Sequence, residues 1–317
     1  MSPSKATSGK DLAEVPCVLS PYDFAQDRPV EGRTEPRAPS RIHGSGSLDL
    51  GEMTAAGAGR APSEAVTALA GALDALGLSV PRPVLVLIGG AANLDPAVAA
   101  ALRSLFERLA PRLDALGVTV VDGGTAFGVM ALMGQARHRT AARFPLVGVA
   151  ARGTVALETR PSRAAVRVLS GEGHFGDIDR CGGRASGEGA RLDPNHSHFL
   201  LTPGDRWGDE SAWIVAAATQ LAGNRPVLTL VAAGGLVTRL DVVLALRAGL
   251  RLIILAGTGG TADLLADWWR HGREMADFPL GAREHALMQV VEMADAVEPL
   301  ADILAQTFAS TGGGKVS

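Results

Sequence analysis

The chain is poor in cysteine, in tyrosine and in long apolar runs, and each shortage removes a class of protein. Cys17 and Cys181 are the only cysteines among 317 residues, in dissimilar, loop-like surroundings. They argue against a disulfide framework or a zinc site and fit a reducing, cytoplasmic location. No apolar run reaches the roughly 18 residues of a membrane helix, and the start Met1-Ser2-Pro3-Ser4-Lys5 lacks the apolar stretch of a signal peptide. Neither sign of charge dominates. A net charge of −3 gives no electrostatic footprint for nucleic acid. Neither nucleic acid nor a membrane is therefore an expected partner. None of the glycine loops after strands is a strict G-x-G-x-x-G, and the chain has no G-x-x-x-x-G-K-[ST], which argues against a Rossmann dehydrogenase and a P-loop ATPase. H-E-x-x-H and C-x-x-C are absent too, so no metal is expected.

What is present suits a globular protein. Hydrophobic residues make up 47% of the chain, ample for a core, and thirty-nine glycines with one tyrosine suggest many tight turns. Residues 1–52 are rich in Ser, Pro, Arg and Gly without hydrophobic period and read as a disordered tail. Within them, the run from Ser20 to Pro29 resembles a translated repetitive DNA element. That makes Met53 an alternative start, which an intact-mass measurement would check. Residues 53–80 read as an N-terminal helix with Val66, Leu69, Leu73 and Leu76 on one face and Gly77 closing it. Residues 81–310 read as a single domain, with a short disordered tail at 311–317.

Inside that domain, short apolar runs alternate with helical patterns. Strands are expected at 84–88, 118–121, 146–150, 198–202, 227–231, 251–255 and 288–291. Asp95-Pro96 is a helix start, acid as N-cap and proline at N1. Residues 151–197 are too long for an ordinary loop and read as a mobile connection. The expected fold is α/β, a Rossmann-like three-layer sandwich with a mostly parallel sheet of about seven strands.

Loops after strands carry small residues: Gly89-Gly90-Ala91, Gly123-Gly124-Thr125, Gly234-Gly235 and Gly257-Thr258-Gly259. Small residues let a backbone approach a ligand, and a following helix start offers N–H groups to an anion. Glycine also simply permits tight turns, which is an equal explanation for any one loop. Gly128, in the first turn of a helix, costs roughly 1 kcal/mol against alanine; close approach of a ligand or of the neighbouring strand would explain it. The segment Asp193, Asn195, His196 and His198 is read as shaping its loop by backbone hydrogen bonding rather than binding metal. The next turn, Pro203-Gly204-Asp205-Arg206-Trp207-Gly208-Asp209-Glu210, follows a strand end, where open α/β sheets bind ligands. There Arg206 suits a phosphate or carboxylate, Trp207 a base, and Glu210 a ribose contact or a catalytic carboxylate. The plain alternatives are helix-dipole complementation for the acids and core packing for Trp207.

The order of these motifs resembles the SLOG superfamily, in the prokaryotic branch related to the cytoplasmic N-terminal region of melastatin-type (TRPM) channels. The resemblance runs over about residues 62–308. It rests on Val84 to Ala91, Asp122 to Thr125 with Gly128 and Met130, Asp193 to Phe199, Trp207 to Glu210, Gly234-Gly235, and Gly257-Thr258-Gly259 followed by Ala262-Asp263-Leu264-Leu265-Ala266. It implies a Rossmann-like fold and a nucleotide-derived ligand, since the channel region is associated with ADP-ribose-type ligands. No cofactor beyond that ligand is implied. More distant members are phosphoribohydrolases that cleave the N-glycosidic bond of nucleoside monophosphates and carry P-G-G-x-G-T-x-x-E. Here the glutamate is present as Glu210, but its spacing differs and the Gly-Thr pair is missing. Gly260 stands where the family often has an arginine.

Two functions from different classes follow as expectations. One is binding and sensing of a nucleotide-derived, ADP-ribose-like ligand, with a separately encoded effector supplying the output. The other is N-glycosidic hydrolysis with Glu210 as the catalytic carboxylate. A homodimer is the assembly to look for.

Overall fold

The computed structural model describes residues 63–78, 81–90, 94–169, 175–176, 189–273, 275, 278 and 280–309. Residues 1–52 and 311–317, Ala91, and most of the expected mobile stretch from Gly171 to Gly189 lie outside this set.

Strand β1 (Val84–Gly89) shows how the sequence builds the sheet. Side chains alternate between faces. Leu85 and Leu87 enter one core cluster, while Val84, Val86 and Ile88 enter another. An apolar run without alternation is what a strand covered on both faces requires. Helix α1 (Ser63–Ala75) precedes it, and α2 (Pro96–Ala115) follows. Asp95 caps α2 by accepting from the Ala97 and Val98 amides at 2.8 and 3.2 Å. Leu102, Leu105, Phe106, Leu109 and Leu113 give α2 its buried stripe.

The remaining elements repeat the unit. They are β2 (Thr119–Asp122), α3 (Gly128–Arg139), β3 (Leu146–Ala151), β4 (Val155–Ala156), β5 (Ala165–Leu169), β6 (Phe175–Gly176), β7 (Ala190–Arg191) and β8 (His198–Thr202). Then come α4 (Ser211–Ala222), β9 (Val227–Ala232), α5 (Leu236–Arg247), β10 (Arg251–Ala256), α6 (Gly260–His271), α7 (Ala282–Leu287), β11 (Met288–Glu292) and α8 (Val297–Ala309).

Nine strands form one sheet in the order β11-β10-β9-β1-β2-β3-β8-β5-β6. All neighbours pair in parallel except β5 with β6, which is antiparallel. Helices α2, α3 and α8 pack on one face; α1, α4, α5 and α6 cover the other. The fold is thus a Rossmann-like α/β sandwich with a mostly parallel sheet.

The sheet has two strands more than the seven expected, and both come from 151–197. β5 and β6 extend the sheet beyond β8, while β4 pairs with β7 in a separate ribbon. The sequence hid them because they are short and lie among Thr, Arg and Gly without a clean apolar run. Gly189 is held against Val155 and Ala156, whose backbone leaves no room for a Cβ.

Candidate functional site

The direction of the strand order reverses at β1. From β1 the chain steps through β2, β3 and β8 to one side; β9, β10 and β11 then build the other. The helix after β1 lies on one face and the helix after β9 on the opposite face, so a crevice opens outside the carboxyl ends of β1 and β9.

Small residues line it because backbones meet there. A Cβ on Gly89 would strike the Ala232 carbonyl, and one on Gly90 would lie 3.2 Å from the Gly234 nitrogen. A Cβ on Gly260 would strike the Gly234 carbonyl. The Thr261 amide donates to Gly234 O at 2.8 Å, and the Thr261 hydroxyl to Gly235 O at 3.0 Å. Gly90 O accepts from Val129 N at 3.1 Å, which brings the Gly123–Gly128 turn to the same edge. Gly128 takes a positive φ of 51°, which explains a glycine in the first helical turn. Ala233, at the end of β9, also has positive φ, 54°. A non-glycine residue there carries strain of order 1–3 kcal/mol, a feature that clusters at ligand sites.

Several loop amides already have carboxylate acceptors. Asp122 Oδ1 accepts from Gly124 N at 2.7 Å. Asp209 Oδ2 accepts from the Asp205 and Arg206 amides, both at 3.0 Å. Asp263 Oδ1 accepts from Gly257 N at 2.7 Å and Thr258 N at 3.2 Å. The Thr258 hydroxyl donates to Leu255 O and accepts from Ala233 N, tying the β10 loop to the β9 loop. Gly235 and Gly259 are open points: a Cβ on either would meet nothing within 4 Å.

The turn 203–210 carries the chemistry. Glu210, the residue before α4, is buried and accepts from Gly208 N at 3.0 Å. Burial pushes its carboxyl up to about 8; the negative charge of Asp241 adds to this, and the amides of Glu210 and Gly208 pull the other way. Asp241, on α5, is pushed up to about 7 by burial, partly offset by the Ser211 hydroxyl. Its Oδ1 has no hydrogen-bond partner. Arg206 is exposed and Trp207 half-buried. Gly204 takes φ 131°, and a Cβ there would meet the Asp209 carboxyl.

The histidines separate. β8 begins at His198, so His196 precedes the strand and the two share no strand face. His196 turns inward, stacks on Phe199, and lies between two carboxylates: Nε2 to Asp122 Oδ1 and Nδ1 to Asp193 Oδ2, each 2.8 Å. Burial alone would lower its pKa. The charges and hydrogen bonds of Asp122 and Asp193 outweigh that and raise it to about 9. Asp193 also accepts from Asn195 N at 3.1 Å. Gly134 of α3 makes the room: a Cβ there would overlap the Asp193 carboxyl. His198 lies at the amino end of β8, half-buried, with Ser197 Oγ at 2.8 Å from Nδ1. Burial and the Arg137 and Arg82 cations hold it near 4, so it is neutral.

The structure therefore brings together Gly89, Gly90, Gly123, Gly124, Thr125, Gly128, Gly234, Gly235, Gly257, Thr258 and Gly259 along the carboxyl edge. Pro203, Gly204, Arg206, Trp207, Gly208 and Glu210 follow the carboxyl end of β8 at that edge. His198 is excluded, being at the opposite edge. Asp193, Asn195 and His196 shape the fold beside it, though through a side-chain triad rather than backbone bonds alone. Asp241 was missed; its signal was a lone acid inside the apolar stretch Leu240 to Leu246. Among the described residues no group of side chains is arranged to hold a metal ion, and no helix is long and apolar enough to cross a membrane.

Solved structures resemble the chain, and two of them illustrate the likeness. An X-ray structure of TM1055, a structural-genomics target, is 19% identical, covers 72% of this chain and 99% of its own, and has a TM-score of 0.43. A molybdenum cofactor binding protein from the phototrophic bacterium Rippkaea orientalis is 13% identical, covers 71% of this chain and 99% of its own, and has a TM-score of 0.44. The model of one family, described as SLOG in TRPM, prokaryote, matches residues 82–301, from before β1 into α8. That span takes in the crevice, the 203–210 turn and both buried acid groups, and the chain belongs to this family.

Proposed function

We propose that this protein binds a nucleotide or nucleotide-derived, ADP-ribose-like ligand across the carboxyl edge of the sheet, as a cytoplasmic ligand-sensing module. One observation carries the reading: small-residue loops after β1, β2, β9 and β10 converge at the point where strand order reverses. Such crevices are where open α/β sheets take ligands. Membership of the family supports it. The exposed Arg206 and half-buried Trp207 offer a phosphate partner and a stacking surface beside that crevice. A separately encoded effector and a homodimer belong to the same proposal.

Calorimetry and thermal shift with ADP-ribose, NAD, cyclic nucleotides and nucleoside monophosphates test it. Micromolar binding of at least one is expected. Absence of heat and of any shift across the panel would remove the reading.

A second reading, N-glycosidic hydrolysis, is favoured by the buried Glu210, which keeps its proton near neutral pH as a general acid must. Product analysis of nucleoside monophosphates with wild type and Glu210→Gln decides it. Turnover by the wild type that the variant loses supports the enzyme; unchanged substrate leaves the binding module.

A further inference from the structure

Gly124, in the turn after β2, is held at both ends by one closed ring of hydrogen bonds. Its N–H donates to Asp122 Oδ1 at 2.7 Å, and its carbonyl accepts from Asp193 N at 3.0 Å. His196 closes the ring between the two carboxylates, with Nε2 on Asp122 Oδ1 and Nδ1 on Asp193 Oδ2, each at 2.8 Å. Burial lowers the pKa of the imidazole, but the two carboxylates raise it further, to about 9, so at neutral pH both ring nitrogens carry protons to donate. Next to Gly124, Thr125 forms an antiparallel bridge with Leu192, and Ala126 N donates to Arg191 O at 2.8 Å.

Three glycines make room for this ring. A Cβ on Gly124 would strike Gly148 Cα, and one on Gly148 would strike Gly124 Cα and the ring of Phe199, on which His196 stacks. A Cβ on Gly134 would overlap the Asp193 carboxyl. Gly134 lies inside α3 and Gly148 inside β3, positions where glycine weakens the element. Apolar side chains would fill the same space without the cost of burying charge. The charged ones are explained by the backbone groups that they hold.

The turn so held lies at the crevice. Gly124 and Thr125 are buried, while Gly123 and the residues from Ala126 to Gly128 are accessible. The turn meets the β1 loop through Val129 N and Gly90 O, 3.1 Å apart. Phe127, the residue before α3, is 36% exposed, one of two large apolar side chains exposed among the described residues. An accessible aromatic ring offers a flat apolar face to a base.

We propose that His196 is the positioning residue of the β2 turn: by bridging Asp122 and Asp193 it fixes the Gly124 peptide at both ends, and so holds Phe127 where the base of a ligand in the crevice stacks on it. The stacking role rests on the nucleotide-binding reading; the fixing of Gly124 does not.

NMR on the full chain tests the ring without a ligand. Residual dipolar couplings of the Gly124 and Phe127 amides report the directions of those N–H bonds, which a loss of stability alone does not change. In the wild type they are expected to fit the same rigid frame as the amides of β9 and β10. In His196→Gln, and in Gly134→Ala, which reaches the ring through Asp193, both amides are expected to leave that frame while β9 and β10 keep it. Wild-type couplings at Gly124 averaged toward zero, or couplings unchanged in a folded variant, overturn the proposal. The ligand arm is calorimetry with ADP-ribose on folded protein. Phe127→Ala is expected to weaken binding about tenfold, the worth of one aromatic contact, and His196→Gln to weaken it by a similar factor. The double variant is expected to lose little more than either, because both act on the same contact. Unchanged affinity in His196→Gln, or losses that multiply in the double variant, overturn the role at the ligand. No heat from wild type overturns the nucleotide reading and that role together, while the couplings still decide whether His196 fixes the turn.

Discussion

The imidazole of His196 reaches across 74 residues of sequence to Asp122, with Nε2 2.8 Å from Oδ1 and both side chains fully buried. The contact joins the end of β2 to the turn before β8, and Asp193 completes it from the other ring nitrogen. Removing the imidazole leaves two buried carboxylates facing each other without a cation. Breaking a buried pair from one side costs about 3–5 kcal/mol. His196→Ala is therefore expected to lower unfolding free energy by that order, measured by urea denaturation. A loss below about 1 kcal/mol would mean that the triad contributes little to the fold.

The buried titratable groups set the pH profile of stability. His196 has its pKa raised from 6.5 to about 9, so its contribution is complete below pH 6.5 and is lost as pH rises through 9. Glu210 and Asp241 have raised pKa values as well, about 8 and 7. As acids, they keep protons in the folded state that the unfolded chain has released above about pH 4. Stability therefore falls from pH 4 toward 8 on their account. All three groups act in one direction, and the melting temperature is expected to be lower at pH 9.5 than at pH 6. Thermal melts across that range check it; Glu210→Gln is expected to flatten the part below pH 8, and a melting temperature that rises steadily to pH 9.5 would contradict all three assignments.

Glycines on the crevice separate packing from ligand contact. At Gly89 a methyl group would strike the Ala232 carbonyl and crowd Val129. Gly89→Ala is expected to destabilise by about 1–3 kcal/mol, the usual range for overpacking. Gly235 differs, with φ −112° and open space where a Cβ would point. Gly235→Ala is expected to leave stability within about 0.5 kcal/mol. If a ligand approaches that backbone, the same substitution lowers ADP-ribose affinity. Unfolding and calorimetry on the two variants read both effects.

Much of this layout was legible from the chain, and the reasons are local. Val84 to Ile88 announced a buried strand because both its faces enter a core, and Asp95-Pro96 announced a helix because capping is a short-range event. Glu210 could be placed at a strand's carboxyl end for the same reason. Long-range chemistry was not legible. His196 and Asp122 are far apart in sequence, so their ion pair left no spacing to read. Asp241 signalled only that an acid stood among leucines and valines. β5 and β6 were hidden because they are short and carry no clean apolar run.

Asp263 gives a direct test of how the β10 loop treats anions. Its carboxylate accepts from Gly257 N and Thr258 N, the place in such a loop that a phosphate oxygen would otherwise take. Asp263→Ala strips both amides of their acceptor. The expected loss is about 1 kcal/mol, the cost of removing a capping side chain. Inorganic phosphate should then restore part of it, because an anion binding only the folded state stabilises in proportion to the logarithm of its concentration. Thermal shift of both proteins over a phosphate series, with chloride at matched ionic strength, checks this. A variant that responds to phosphate no more than the wild type does would show that the two amides turn to water instead, and that the β10 loop is not an anion cradle held closed by its own side chain.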